Sequence, residues 1–183
     1  MKRREAIAGV GGGLVLLGGA SVAIRGPPPL ERLTGDDDAE TAYEPVTLET
    51  VETPWQDDAT VDVPGEQPTF LKLFSTTCGS CARMLSDVTR AHEQLAHQVR
   101  FVSVTTERVG VAGAVTTDDV LEWWSDHGGG EWPIAVDETV TLQTRHAKPV
   151  PGAVFFDEQG VERWSHAGTA SADELVSAIE NAH

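Results

Sequence analysis

Cysteine occurs only twice in the 183 residues, at positions 78 and 81, and lysine only three times, at 2, 72 and 148. Two thiols this close exclude a framework of structural disulfides, because a bond between them closes a trivial loop. A reactive pair, half of a metal site, or two inert thiols remain. Positive charge is scarce in general: 13 basic residues stand against 29 acidic ones, for a net charge of −16. That balance excludes nucleic acid as a partner, since such binding is led by Lys and Arg neutralising phosphates. Residues 1–25 hold four of the basic residues and one acidic residue, so the rest of the chain is more acidic still. A Lys-poor, Asp/Glu-rich exterior of this kind resembles proteins adapted to high salt, where screening removes most of the self-repulsion.

Long apolar runs are also scarce, and the single one lies at the start. Lys2-Arg3-Arg4 precedes nineteen uncharged residues, Ala6 to Ile24, which are followed by Arg25 and Gly26-Pro27-Pro28-Pro29. A basic start and an apolar run form the export pattern. As a helix the run spans about 29 Å, close to a bilayer's hydrocarbon thickness. Residues 1–25 are therefore expected to be an export signal or a transmembrane anchor, meeting the membrane through residues 6–24. Arg3-Arg4 resembles the twin-arginine export signal. Basic residues on the N-terminal side place the remainder outside the cytoplasm. Residues 26–43, with the prolines and Asp36-Asp37-Asp38, read as an acidic, extended linker. The domain is expected over residues 44–183.

Within it, strand and helix patterns alternate. Val46–Leu48 and Ala59–Val63 suit a hairpin across Pro54, and Thr69–Phe74 is a short apolar run of the buried-strand kind. Residues 79–97 carry apolar positions at Cys81, Met84, Leu85, Val88, Leu95 and Ala96, an amphipathic helix. Val99–Val104 is a strand, and Thr116/Thr117 with Asp118-Asp119 caps a helix stopped at Gly128. Trp132–Val136 is a strand and Glu138–His146 a helix. Gly152–Phe156 and Val161–His166 flank a turn at Gly160, and Ser171–Glu174 is a capping box for a last helix. Helices between strands imply parallel pairs, and the late hairpin adds an antiparallel edge. The predicted fold is a three-layer α/β sandwich with a mixed central sheet.

Cys78-Gly79-Ser80-Cys81 falls where a buried strand passes through a short loop into a helix. Unpaired N–H groups and the helix dipole there favour an anion. A free thiol of pKa near 8.5 is only about 3% ionised at pH 7, whereas one lowered to about 7 is half ionised. Cys78 is the expected attacking sulfur, and Cys81, one turn on and facing Leu85 and Val88, the resolving one. Tetrahedral zinc takes four ligands, usually two such pairs or closely spaced histidines. The histidines at 92, 97, 127, 146, 166 and 183 form no such pair, so neither a metal nor another cofactor is expected.

Several features occur in a fixed order over roughly residues 44–182: the hairpin, the strand into Cys78–Cys81, the helix-plus-strand segment Thr117–Val136, and Val150-Pro151 ahead of Gly152–Asp157 and Gly160. Together they resemble the thioredoxin superfamily, and within it the exported TlpA-like thiol–disulfide oxidoreductases. The resemblance implies a thioredoxin-like fold, exchange with protein thiols and disulfides, and reduction as the favoured direction, for example of apocytochrome or copper-site cysteines. It implies that Pro151 is cis and lies against the active-site disulfide, with Val150 and Thr77 beside an extended substrate. From the residues alone Pro151 is only a strand-start proline.

Three positions depart from the family. Thr77 stands where an aromatic residue often precedes the first cysteine, Gly79-Ser80 is an unfamiliar central pair, and Lys72 occupies the strand position where thioredoxins bury a carboxylate. Sharing a strand face with Phe70 and Phe74, Lys72 either modulates the thiol pKa or snorkels to the edge. Glu93, His92 and His146 are other conceivable proton carriers. Two alternative functions compete. An SCO-like copper-delivery protein would need His146 or His166 as a ligand and a longer cysteine spacing, and a thioredoxin-fold docking module would need no chemistry at all.

Overall fold

The computed structural model describes residues 41–57, 59–110, 115–146 and 148–182. The expected signal or anchor over 1–25 and nearly all of the expected linker lie outside those residues. Among the described residues, no helix is long and apolar enough to cross a membrane.

Among the described residues, seven strands and four helices follow in the order β1 (Val46–Thr50), β2 (Thr60–Val63), β3 (Thr69–Phe74), α1 (Gly79–Leu95), β4 (Arg100–Thr105), α2 (Thr117–Asp126), β5 (Ile134–Val136), α3 (Thr141–Arg145), β6 (Gly152–Phe156), β7 (Glu162–Ala167) and α4 (Ala172–Ala182). They form one mixed sheet with strand order β2-β1-β5-β4-β3-β6-β7. The β3–β4 and β4–β5 pairs are parallel, as helical crossovers require, while β1–β2, β3–β6 and β6–β7 are antiparallel. Strand β3 is paired on both sides and buried along its whole length. A strand so placed has no solvent face, hence its unbroken apolar run.

The two faces of the sheet are covered unequally. On one face Phe70, Phe74, Phe101 and Phe155 pack against Cys81, Met84, Leu85 and Val88 of α1, Trp124 of α2, and Leu175 and Ile179 of α4. On the other, Leu71, Leu73, Val102, Val104 and Phe156 meet Leu142 of the five-residue α3. Three helices therefore share the face that buries the second cysteine. The tryptophans are chiefly core: Trp124 and Trp132 are buried, with Trp132 Nε1 donating to Ser103 Oγ at 3.0 Å. Trp123 stacks on Phe74, centroids 5.2 Å apart, and remains half-buried.

Helix ends follow local chemistry. Thr116 Oγ1 accepts the Asp119 N–H at 3.1 Å while the Asp119 carboxylate accepts the Thr116 N–H at 2.8 Å, a reciprocal cap. Gly128, at φ 73°, ends the segment after α2 in a conformation open to glycine. The expected helix over Glu138–His146 is shorter than its pattern. Asp137, 1% exposed, accepts the N–H groups of Thr141 at 3.0 Å and Leu142 at 2.7 Å, so the helix starts where that carboxylate can reach. Val140, at φ 54°, completes the turn between them. Ahead of β1, Ala42 bridges Val161 and the Tyr43 N–H donates to Gly160 O at 2.9 Å.

Asp137→Ala removes both bonds and leaves two N–H groups without their acceptor. It is expected to destabilise the protein by about 1–3 kcal/mol, read as a lower urea midpoint at constant m-value.

Candidate active site

Strand β3 ends at Phe74, and Ser75–Thr77 turn the chain into α1. Cys78 is the N-cap residue of that helix, with extended backbone at φ −90° and ψ 99°. Its Sγ accepts the Cys81 N–H at 3.1 Å and lies 3.3 Å from Ser80 Oγ. Cys78 and Cys81 are joined by a disulfide, with Cα atoms 5.2 Å apart. No acidic residue occupies the first turn of α1 to oppose an anion at that end. Cys81 is 0% exposed and Cys78 is half-buried, so a partner sulfur can reach only Cys78. Thr77 is exposed beside it, its Oγ1 2.9 Å from Ser75 Oγ.

The turn is gripped from the neighbouring strand. Glu107, just past the end of β4, accepts from Ser75 Oγ at 3.0 Å, Thr76 N–H at 2.8 Å and Thr76 Oγ1 at 2.8 Å. It also accepts from Thr105 Oγ1 at 2.9 Å. The sequence reading missed this residue. Its signal is the parallel register that sets Phe74 against Thr105, which brings Ser75-Thr76 and Glu107 to the same sheet end.

Val150-Pro151 reaches that end from the other side. The Val150–Pro151 bond is cis, and a second cis bond joins Val63 to Pro64. Strand β6 runs antiparallel to β3 with Leu73 opposite Gly152, so Pro151 stands beside the end of β3 that leads to Cys78. Pro151 is buried, and its carbonyl accepts the Gly168 N–H at 2.9 Å. Half-buried Val150 packs against both cores. At Gly152 a side chain would meet Pro149 O at 2.6 Å and Lys148 Cβ at 2.9 Å, so the turn into β6 closes only on glycine.

Lys72 does not snorkel. It is 0% exposed, on the same face of β3 as Phe70 and Phe74, with Ser103 and Ala153 as strand partners. Its Nζ lies 5.2 Å from the Phe74 ring centroid, toward the end of β3 that carries the cysteines, and has no hydrogen-bond partner among the described residues. Burial lowers its pKa from 10.5 to about 7. The other conceivable proton carriers lie elsewhere. His92 packs against Phe101 and Trp132, and Glu93 is exposed late in α1. His146 bonds Glu162 at 2.8 Å and packs on Phe156, which pairs with Thr69 at the opposite end of β3 from the thiols. His166, the other histidine an SCO-like reading would use, stands on β7 opposite Ala153, its Nε2 3.2 Å from Thr169 O. Among the described residues, no three His, Cys, Asp or Glu side chains are grouped to hold a metal ion.

The buried amine has a thermodynamic consequence. The unfolded chain keeps the Lys72 proton up to about pH 10.5, whereas the folded protein releases it near 7. The unfolded state thus binds more protons between those values, and stability rises with pH across that window; below it the full burial penalty applies. Lys72→Met is expected to stabilise the oxidised protein at about pH 6, with the gain shrinking by about 1.4 kcal/mol per pH unit above 7. Urea unfolding at several pH values checks this; a gap that does not vary with pH would mean a solvated amine.

A family model described as a thioredoxin-like domain matches residues 56–183. Among solved structures, StoA from Bacillus subtilis is 17% identical, with 74% of this chain and 96% of that one covered at a TM-score of 0.58. The exposed lipoprotein thioredoxin Etrx1 of Streptococcus pneumoniae is 18% identical, with 75% and 99% covered at 0.60. A secreted disulfide oxidoreductase of Mycobacterium tuberculosis, described as homologous to DsbE of E. coli, is 15% identical, with 74% and 95% covered at 0.58. No curated protein matches the chain. At these identities the structures share the fold, and with the family match they give one conclusion: the chain belongs to the thioredoxin-like family.

Proposed function

We propose that the protein is a thiol–disulfide oxidoreductase that exchanges disulfides with exported protein partners through Cys78-Gly79-Ser80-Cys81, in the reducing direction. The observation that carries this reading is the asymmetry of the pair: a reachable sulfur at a helix N-terminus bonded to one that is wholly buried. Apocytochrome or copper-site cysteines are partners of suitable chemistry. Extracytoplasmic placement, by a membrane anchor or by export, rests on the pattern of residues 1–25. The secreted and lipoprotein character of two proteins sharing the fold supports it.

In the reduced protein the Cys78 thiolate attacks a partner disulfide. A bond forms between Cys78 Sγ and one partner sulfur, and the other leaves as a thiolate that takes a proton from solvent. Cys81 then gives up its proton and attacks Cys78 Sγ. The mixed bond breaks, and the second partner sulfur departs and is protonated. Two electrons have passed to the partner, and the Cys78–Cys81 disulfide is restored. A separate dithiol donor renews the reduced pair by the same exchange in reverse. Val150 and Thr77 flank the sulfur where an extended partner segment would lie, with Pro151 as the fixed wall between strand and thiols. Lys72, neutral at mildly alkaline pH, is the nearby amine that modulates thiol ionisation. Copper delivery has no comparable support: His146 packs on Phe156 in the opposite core, and His166 Nε2 is 3.2 Å from Thr169 O.

Reduction of insulin or of a mixed glutathione disulfide is expected to vanish in Cys78→Ser, while Cys81→Ser accumulates mixed disulfides; activity retained in Cys78→Ser would end this reading. The potential of the pair decides direction. A value near about −270 mV, as in thioredoxin, supports reduction, whereas one near about −120 mV reverses it. In Lys72→Met the cysteine titration is expected to shift, and an unchanged curve removes Lys72 from the mechanism.

A further inference from the structure

We propose that Glu107 is a positioning residue for this exchange: its carboxylate ties the end of β4 to the Ser75–Thr77 turn and thereby holds Cys78 at the helix N-terminus. The proposal rests on the reading of Cys78 as the attacking sulfur.

The carboxylate takes four donors from two separate parts of the chain. One oxygen accepts from Ser75 Oγ at 3.0 Å and Thr76 Oγ1 at 2.8 Å. The other accepts from the Thr76 N–H at 2.8 Å and Thr105 Oγ1 at 2.9 Å. Two carboxylate oxygens offer about four acceptor sites, so the group is saturated. The Glu107 N–H also donates to Thr105 Oγ1 at 3.2 Å, which fixes the carboxylate's own backbone to the strand.

These bonds lead to the nucleophile through Ser75. Its carbonyl accepts the Cys78 N–H at 3.1 Å, and its hydroxyl accepts the Thr77 N–H at 3.3 Å. The turn has no apolar side chain to anchor it: Ser75 and Thr76 are half-buried and Thr77 is exposed. Hydrogen bonds are what order it, and those to an anion are the stronger kind, roughly twice as strong as neutral ones. If the carboxylate is removed, Thr76 N–H loses its partner and Ser75 is free to rotate. The sulfur is then less firmly aligned with the N–H groups that favour its thiolate. Such a residue touches neither substrate nor sulfur and acts through the turn.

Glutamine and alanine separate the bonds from the charge. In Glu107→Gln the amide oxygen can accept Thr76 N–H and Thr105 Oγ1, while the amide N–H groups donate to the two remaining hydroxyls. All four links survive without the charge. In Glu107→Ala none survives, so the difference between the two variants reports the bonds alone. Full-length protein of each variant is compared by thiolate titration of the reduced pair with a small alkylating agent and by the rate of insulin reduction. The expected result is a Cys78 pKa about one unit higher in Glu107→Ala than in Glu107→Gln. The expected rate is about tenfold lower in Ala, with most of the loss recovered by Gln. Thr76→Val, which deletes one donor and leaves the carboxylate, is expected to lose about threefold and serves if the alanine variant fails to fold. Identical titration and rate in Ala and Gln would overturn the proposal. The titration needs no partner, so a wild-type protein inactive on insulin would count against the exchange reading and leave the Glu107 comparison decided on its own.

Discussion

The site depends on one sulfur capping its own helix. Cys78 Sγ takes the N–H of Cys81 at 3.1 Å, a role that Ser or Asp plays at most helix starts. An N–H already aimed at sulfur is an N–H aimed at a thiolate once the disulfide opens. The stabilisation is therefore built into the backbone before any ionised side chain is considered. For that geometry to exist, β3 must deliver the chain to the sheet end in one register, and α1 must bury its inner face. Its full burial between β4 and β6 secures the first, and Met84, Leu85 and Val88 against Phe70 and Phe74 secure the second.

Around this point the protein has reversed a sign. Where thioredoxins bury a carboxylate, the fully buried Lys72 offers an amine with no hydrogen-bond partner among the described residues. A buried carboxylate resists ionising, and so does a buried amine, but the neutral forms differ. The neutral acid holds a proton to give, whereas the neutral amine holds a lone pair to receive one. At mildly alkaline pH the buried amine is therefore a base rather than an acid. Glu107 carries the opposite charge at the outer edge, where four donors balance it.

Much of this was legible in the residues, for physical reasons that can be named. Strand β3 and the start of α1 were read to the residue, because an unbroken apolar run and a Cys-x-x-Cys junction are both local signals. The caps at Thr116 and Ser171 were equally local. The α3 start was misplaced because its cap comes from Asp137, four residues ahead of Thr141, and no short-range pattern reveals that a carboxylate is 1% exposed. Glu107 was missed because its four links depend on which strands lie side by side. The fate of Lys72 turned on whether β3 was central or at an edge, since only an edge strand lets a lysine reach water. Pro64 carries a second cis bond that nothing in its neighbourhood announced.

The acidic exterior bears on how partners are found. With a net charge of −16, the chain repels any acidic partner at low ionic strength and attracts basic ones indiscriminately. On the high-salt reading of that surface both effects fade, because the Debye length falls to about 3 Å at 1 M and charges further apart no longer sense each other. Steering is then lost, and selection falls to short-range contact. Interactions inside the domain suffer less, since Lys72 is enclosed by protein and the Cys78 cap is a direct bond. Salt thus strips the long-range field from recognition and leaves the short-range field at the sulfur.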